Sequence, residues 1–211
     1  MTTRVCKTRL MPRVVFFYKN SQHHMNLKKN IGNLFLKLHG WSQVMKLPDI
    51  RKCVCAVAPH TSIADFFFGV AYFWANEIPF KVMIKAEFFR FPFRRLLLKM
   101  GGIPVDRGKH NNLVQQMVEM FDSTDEVYLI ICPEGTRKMT PHWKKGFYYI
   151  AQGAQVPIIL GYIDYSKKCC GIERTADISG DYEKDLAVMW DYYKDKKAKH
   201  PANFNLDEQY R

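Results

Sequence analysis

The chain has 211 residues, 47% hydrophobic and 25% charged, which suits one globular domain with a sizeable core and excludes a disordered chain. Its 32 basic and 20 acidic residues leave a formal charge of +12, which calls for an anionic partner such as nucleic acid, an anionic membrane or a phosphorylated substrate. No stretch of about 20 apolar residues occurs, so no spanning helix is expected and any membrane contact should be peripheral.

The charge is unevenly spread. Residues 1–52 carry eleven Lys or Arg against Asp49 alone, a net +10, and residues 81–109 carry eight against two, a net +6. Residues 110–211 carry thirteen against fifteen and are near neutral. A one-sided basic surface built by the N-terminal half is the natural reading.

Residues 1–26 lack strong periodicity and read as a loose extension ahead of a domain over 27–211, with Met25 a candidate start. The apolar stretch Val14 to Tyr18 is too short for a signal-peptide core. From Leu27, the residues Leu27, Ile31, Leu34, Phe35 and Leu38 recur at helical spacing and predict an amphipathic helix ending near Gly40. Two uses of that helix are compatible: packing on the domain, or lying in a lipid interface with its lysines.

Cys53 to Ala58 has the look of a buried strand, and Thr61 or Ser62 can cap a helix running to Trp74. Lys81 to Lys85 suits another strand. Phe88 to Lys99 interleaves aromatic and basic residues around Pro92, which breaks or starts a helix. A core helix with outreaching cations is one reading of it. The other makes Phe88, Phe89, Arg90, Phe91, Arg94 and Arg95 membrane-facing. Ile103 to Val105 predicts a strand, Asn111 to Phe121 a helix and Val127 to Ile131 a third strand. A helix over Gly146 to Gly153, a strand over Val156 to Ile163, and a last amphipathic helix marked by Tyr182, Leu186, Met189 and Tyr193 complete the chain. Strands alternating with helices predict a single α/β domain with a mixed, largely parallel sheet flanked by helices.

The cysteines add no chemistry. Cys53 and Cys55 stand one residue apart and Cys169 and Cys170 are adjacent, spacings that match neither a zinc knuckle nor a redox pair. Core thiols in a reducing compartment are expected.

Chemistry is expected instead in His60-Thr61-Ser62-Ile63-Ala64-Asp65. Within one regular helix, five steps of roughly 100° would leave His60 and Asp65 facing apart. They meet only if His60 lies in the turn before the helix and Asp65 in its first turn. Asp65 then fixes the imidazole tautomer and frees the other nitrogen as a base, with Ser62 as a helix cap rather than a nucleophile. Gly101 to Arg107 and Pro133-Glu134-Gly135-Thr136-Arg137 each offer a cation after a strand, where ligands gather in α/β sheets, and guanidinium forks suit phosphate. Lys144 and Lys145 either add to that surface or form a solvated turn.

These blocks, with Val156-Pro157-Ile158 after them, resemble the lysophospholipid and glycerolphosphate acyltransferases, the family of the 1-acylglycerol-3-phosphate acyltransferases. The likeness runs from about Ala58 to Gly161, with Cys132, Pro104 and Pro59 at positions where many members carry another residue. The resemblance implies a glycerolphosphate-acyltransferase fold with His60 as general base and Asp65 as its orienting partner. It places Arg107, Glu134, Gly135, Thr136 and Arg137 around the acceptor phosphate. It also implies an acyl-CoA or acyl-carrier-protein donor, a lysophospholipid acceptor, and no metal or other cofactor. A peripheral place on the cytoplasmic face of an anionic membrane follows. The competing classes are a nucleic-acid-binding protein, which has charge but no recognition motif here, and a membrane-binding module without catalysis, against which His60 and Asp65 argue.

Overall fold

A computed structural model describes residues 27–46, 50–105 and 113–206. Residues 27–38 form helix α1. Then follow β1 (Ser42–Met45), β2 (Lys52–Val57), α2 (Ile63–Ala75), β3 (Phe80–Lys85), α3 (Arg94–Lys99) and β4 (Gly102–Val105). The second half contributes α4 (Leu113–Asp122), β5 (Val127–Ile131), α5 (Gly146–Gly153), β6 (Ile158–Asp164), β7 (Cys169–Ala176) and α6 (Tyr182–Tyr193). Among the described residues one seven-stranded sheet runs β1-β7-β6-β2-β5-β3-β4. Every pair is parallel except β6 with β7. This is the expected mixed, largely parallel sheet in one α/β domain.

Helices cover both faces, which is why β2, β5 and β6 read as unbroken apolar runs. Along β2, Val54 and Ala56 turn toward α4, α5 and α6, meeting Phe121, Phe147 and Tyr193. Cys53 and Cys55 alternate to the opposite layer with Leu36 of α1 and Phe68, Tyr72 and Phe73 of α2. Cys53, Cys55, Cys169 and Cys170 are free and buried, as core thiols should be. Burial pushes the Cys55 thiol up to about 12, which keeps it protonated and inert.

Two strands stand where none is expected from the sequence. β1 is a short, mostly exposed edge, and β7 returns antiparallel beside β6 after a tight turn. Helix α1 packs on the domain, but not through its apolar stripe. It docks on α2 through Gly32, where an added Cβ would meet the Ala71 carbonyl oxygen at 2.4 Å, and through buried Leu36. Leu27, Ile31, Leu34 and Leu38, which carry most of its apolar character, remain exposed. The Phe88 to Lys99 stretch is likewise no core helix, because α3 buries none of its residues. Phe88, Arg90, Phe91, Arg94 and Arg95 are exposed, Phe91 at 96%, and Phe89 is half-buried. No helix among the described residues is long and apolar enough to cross a membrane. The extension proposed for residues 1–26 lies outside the described residues.

Candidate active site

Strands β5, β2 and β6 are adjacent and parallel, so their C-terminal ends lie side by side. Each is followed within a few residues by a polar side chain: Glu134 after β5, His60 after β2 and Tyr165 after β6. The site is assembled there, at the end of the sheet where α/β folds place ligands.

The turn after β2 solves the spacing problem. His60 precedes α2, and Ser62 is the N-cap, its Oγ accepting from the Ala64 amide at 3.2 Å. Asp65 lies in the first helical turn and reaches back over the cap: its Oδ2 accepts from the Thr61 and Ser62 amides, each at 2.8 Å. A carboxylate there also meets the positive end of the helix dipole. The same Oδ2 lies 3.3 Å from His60 Nδ1, and Asp65 Oδ1 accepts from the Tyr165 hydroxyl at 2.6 Å. Burial pushes the Asp65 carboxyl up, but hydrogen bonds from His60, Tyr165 and Ser62 outweigh it and hold the group below the usual carboxylate range. An ionised Asp65 favours the proton on the facing Nδ1, and so the tautomer with Nε2 bare. Nε2 has no hydrogen-bond partner among the described residues. His60 is thereby equipped to take a proton from a hydroxyl placed at Nε2.

Glu134 approaches from the other side. Its Oε1 accepts from the His60 amide at 2.7 Å, while Oε2 is buried without a partner. Burial, together with the Asp65 charge, pushes its carboxyl up to about 8 despite the bond from His60. Of the residues expected around an acceptor phosphate, Glu134 therefore touches the turn that carries His60. Gly135 follows at φ +67°, a left-handed turn residue, with the Lys144 stem against it. Thr136 is half-buried and Arg137 is exposed. Arg107 lies outside the described residues, and so does its expected approach to Arg137. Lys144 is bound through its amide to the Pro133 carbonyl at 2.7 Å, and Lys145 pairs with Glu183 at 2.8 Å.

The sequence profile of the acyltransferase family matches residues 39–160, more than half of the chain. The chain belongs to the acyltransferase family. Among solved structures, the 1-acyl-sn-glycerophosphate (LPA) acyltransferase PlsC from Thermotoga maritima is similar, with a TM-score of 0.57 at 17% identity. That similarity covers 84% of this chain and 80% of the other, and it establishes a shared fold. Among curated proteins none matches the chain by sequence. The family match ends at Leu160, whereas Tyr165 and the C-terminal segment that touch the site lie beyond it. Sequence reasoning missed Tyr165, which stands 100 residues from Asp65 and belongs to no motif. Among the described residues no group of three or more His, Cys, Asp or Glu is placed to hold a metal ion.

Proposed function

We propose that this acyltransferase moves a fatty acyl group from a thioester, acyl-CoA or acyl-carrier protein, to the hydroxyl of a lysophospholipid, with 1-acylglycerol-3-phosphate the favoured acceptor. The observation that carries the reading is the His60–Asp65 pair at 3.3 Å, its carboxylate anchored and its Nε2 bare, beside the Pro-Glu-Gly-Thr-Arg turn. In this mechanism Nε2 takes the hydroxyl proton as the oxygen attacks the thioester carbonyl. The tetrahedral oxyanion collapses, the carbon–sulfur bond breaks, and the imidazolium returns its proton to the departing thiolate. Asp65 stabilises the imidazolium in between. Gly135, Thr136 and Arg137, together with Arg107, are assigned to the acceptor phosphate, where guanidinium forks match its oxygens. Glu134 belongs to the same set and, through its bond from the His60 amide, ties the Pro-Glu-Gly-Thr-Arg turn to the base.

The acceptor is a lipid, and the protein's exposed apolar surface suits peripheral binding at the cytoplasmic face of an anionic membrane. Phe88, Phe91 and Phe93 are exposed beside Arg90, Arg94 and Arg95, and α1 turns Leu27, Ile31, Leu34 and Leu38 outward. Aromatic rings at the headgroup boundary with cations on lipid phosphates account for both halves of that composition. The test is a panel: labelled acyl-CoA and acyl-carrier protein, each with 1-acylglycerol-3-phosphate, other lysophospholipids and glycerol 3-phosphate. Acyl transfer to 1-acylglycerol-3-phosphate above the others is expected. No thiol release with any pair, together with tight oligonucleotide binding, would replace this reading with the nucleic-acid one.

A further inference from the structure

The bonds around Asp65 point to a residue outside every motif. Its Oδ2 is shared by three donors from its own turn, the Thr61 and Ser62 amides and His60 Nδ1. Its Oδ1 receives the Tyr165 hydroxyl at 2.6 Å. Removing that phenol would leave Oδ1 of a buried carboxylate without the partner that holds its plane.

Tyr165 is itself held on three sides. Its amide donates to the Lys197 carbonyl at 2.9 Å, and its ring stands edge-on to Trp41 at 5.0 Å and to Phe68 at 6.1 Å. The turn that carries it is tied by Asp164 Oδ1, which accepts from the Ser166 amide at 2.9 Å and the Ser166 hydroxyl at 2.7 Å. The same C-terminal segment reaches the catalytic turn directly, where the His200 amide donates to Thr61 Oγ1 at 3.1 Å. Two pieces of chain beyond the family match therefore brace one carboxylate and the loop beneath it.

We propose that Tyr165 is a positioning residue for acyl transfer, fixing the plane of the Asp65 carboxylate and tempering its basicity, and so setting how strongly Asp65 draws on the imidazole of His60. Burial and the neighbouring Asp65 charge push the Tyr165 phenol far up, so it remains a donor at every working pH. The titratable groups facing Asp65 are His60 from its own turn, Glu134 from the end of β5 and Tyr165 from the end of β6. The kinetic arm of the test rests on the acyl-transfer reading; the titration arm does not.

Tyr165→Phe removes only the hydroxyl. Without it Asp65 becomes the more basic carboxylate, so its protonation, followed by carbon NMR of the aspartate carboxyls, moves to higher pH. In the transfer assay kcat falls roughly tenfold with both KM values within about twofold, and the acid limb of the pH–rate profile rises by about half a pH unit. A fluorinated tyrosine at position 165, a stronger donor, moves the Asp65 titration to lower pH, and this second variant decides the question if Tyr165→Phe does not fold. An Asp65 titration that stays in place, or a profile merely scaled down at every pH, would overturn the proposal. A wild-type protein that releases no thiol while its Asp65 titration responds to position 165 would remove the acyl-transfer reading and leave the positioning role standing.

Discussion

Glu134 offers the most quantitative prediction. Its carboxyl is 1% exposed, its Oε2 has no partner, and burial beside Asp65 raises it from 4.5 to about 8. Between those values the folded chain keeps the proton while the unfolded chain has lost it. The unfolded state thus binds fewer protons, and folding stability falls as pH rises across that window. Each pH unit of displacement is worth about 1.4 kcal/mol, which caps the loss at about 5 kcal/mol. Glu134→Gln keeps an oxygen for the His60 amide and removes the titration. Urea unfolding of both proteins at pH 5 and pH 8.5 should show wild type losing between about 2 and 4 kcal/mol more than the variant across the range. For a domain of this size that corresponds to about 5–15 °C in Tm. Because the comparison is between two proteins at the same two pH values, every other titrating group cancels to first order. Parallel pH dependence in the two proteins would refute a neutral, buried Glu134.

Three further outcomes follow from the geometry. Gly32→Ala should destabilise the fold by about 1–3 kcal/mol, since the new Cβ would sit 2.4 Å from the Ala71 carbonyl oxygen, whereas helix propensity alone predicts a gain of up to about 1 kcal/mol; chemical unfolding reads the sign. Arg137→Ala should raise the KM for a phosphorylated acceptor about tenfold with kcat within about twofold in steady-state transfer assays, as expected for a group that holds phosphate equally in ground and transition states. Replacing Phe91 and Phe93 by Ser should lower sedimentation with anionic vesicles at least about tenfold while leaving Tm unchanged, because neither ring is part of the core.

The sequence made the central sheet legible because β2, β5 and β6 are covered on both faces and must be apolar throughout. It also placed His60 and Asp65, because a capped turn, unlike a regular helix, brings side chains five residues apart to 3.3 Å. β7 escaped notice because Glu173, Arg174 and Thr175 in its second half are not buried and break the apolar run. The turn before it did carry a signal: Asp164 followed two residues later by Ser166 is an aspartate turn of the kind that bends a chain back on itself. Which face of α1 packs on the domain stayed open for a different reason. Periodicity identifies an apolar stripe but not which side of the helix a glycine will bring against its neighbour. Tyr165 had no local signature at all, since its role depends on β6 lying beside β2, which is a property of the sheet order.

The central claim is that His60 is the base of an acyl-transfer reaction. Thiol release from acyl-CoA in the presence of 1-acylglycerol-3-phosphate, compared between wild type and His60→Ala of matched circular dichroism, tests it most directly. A loss of about 10²–10⁴-fold in kcat/KM with the fold intact is the predicted result. Release by His60→Ala at the wild-type rate would contradict it.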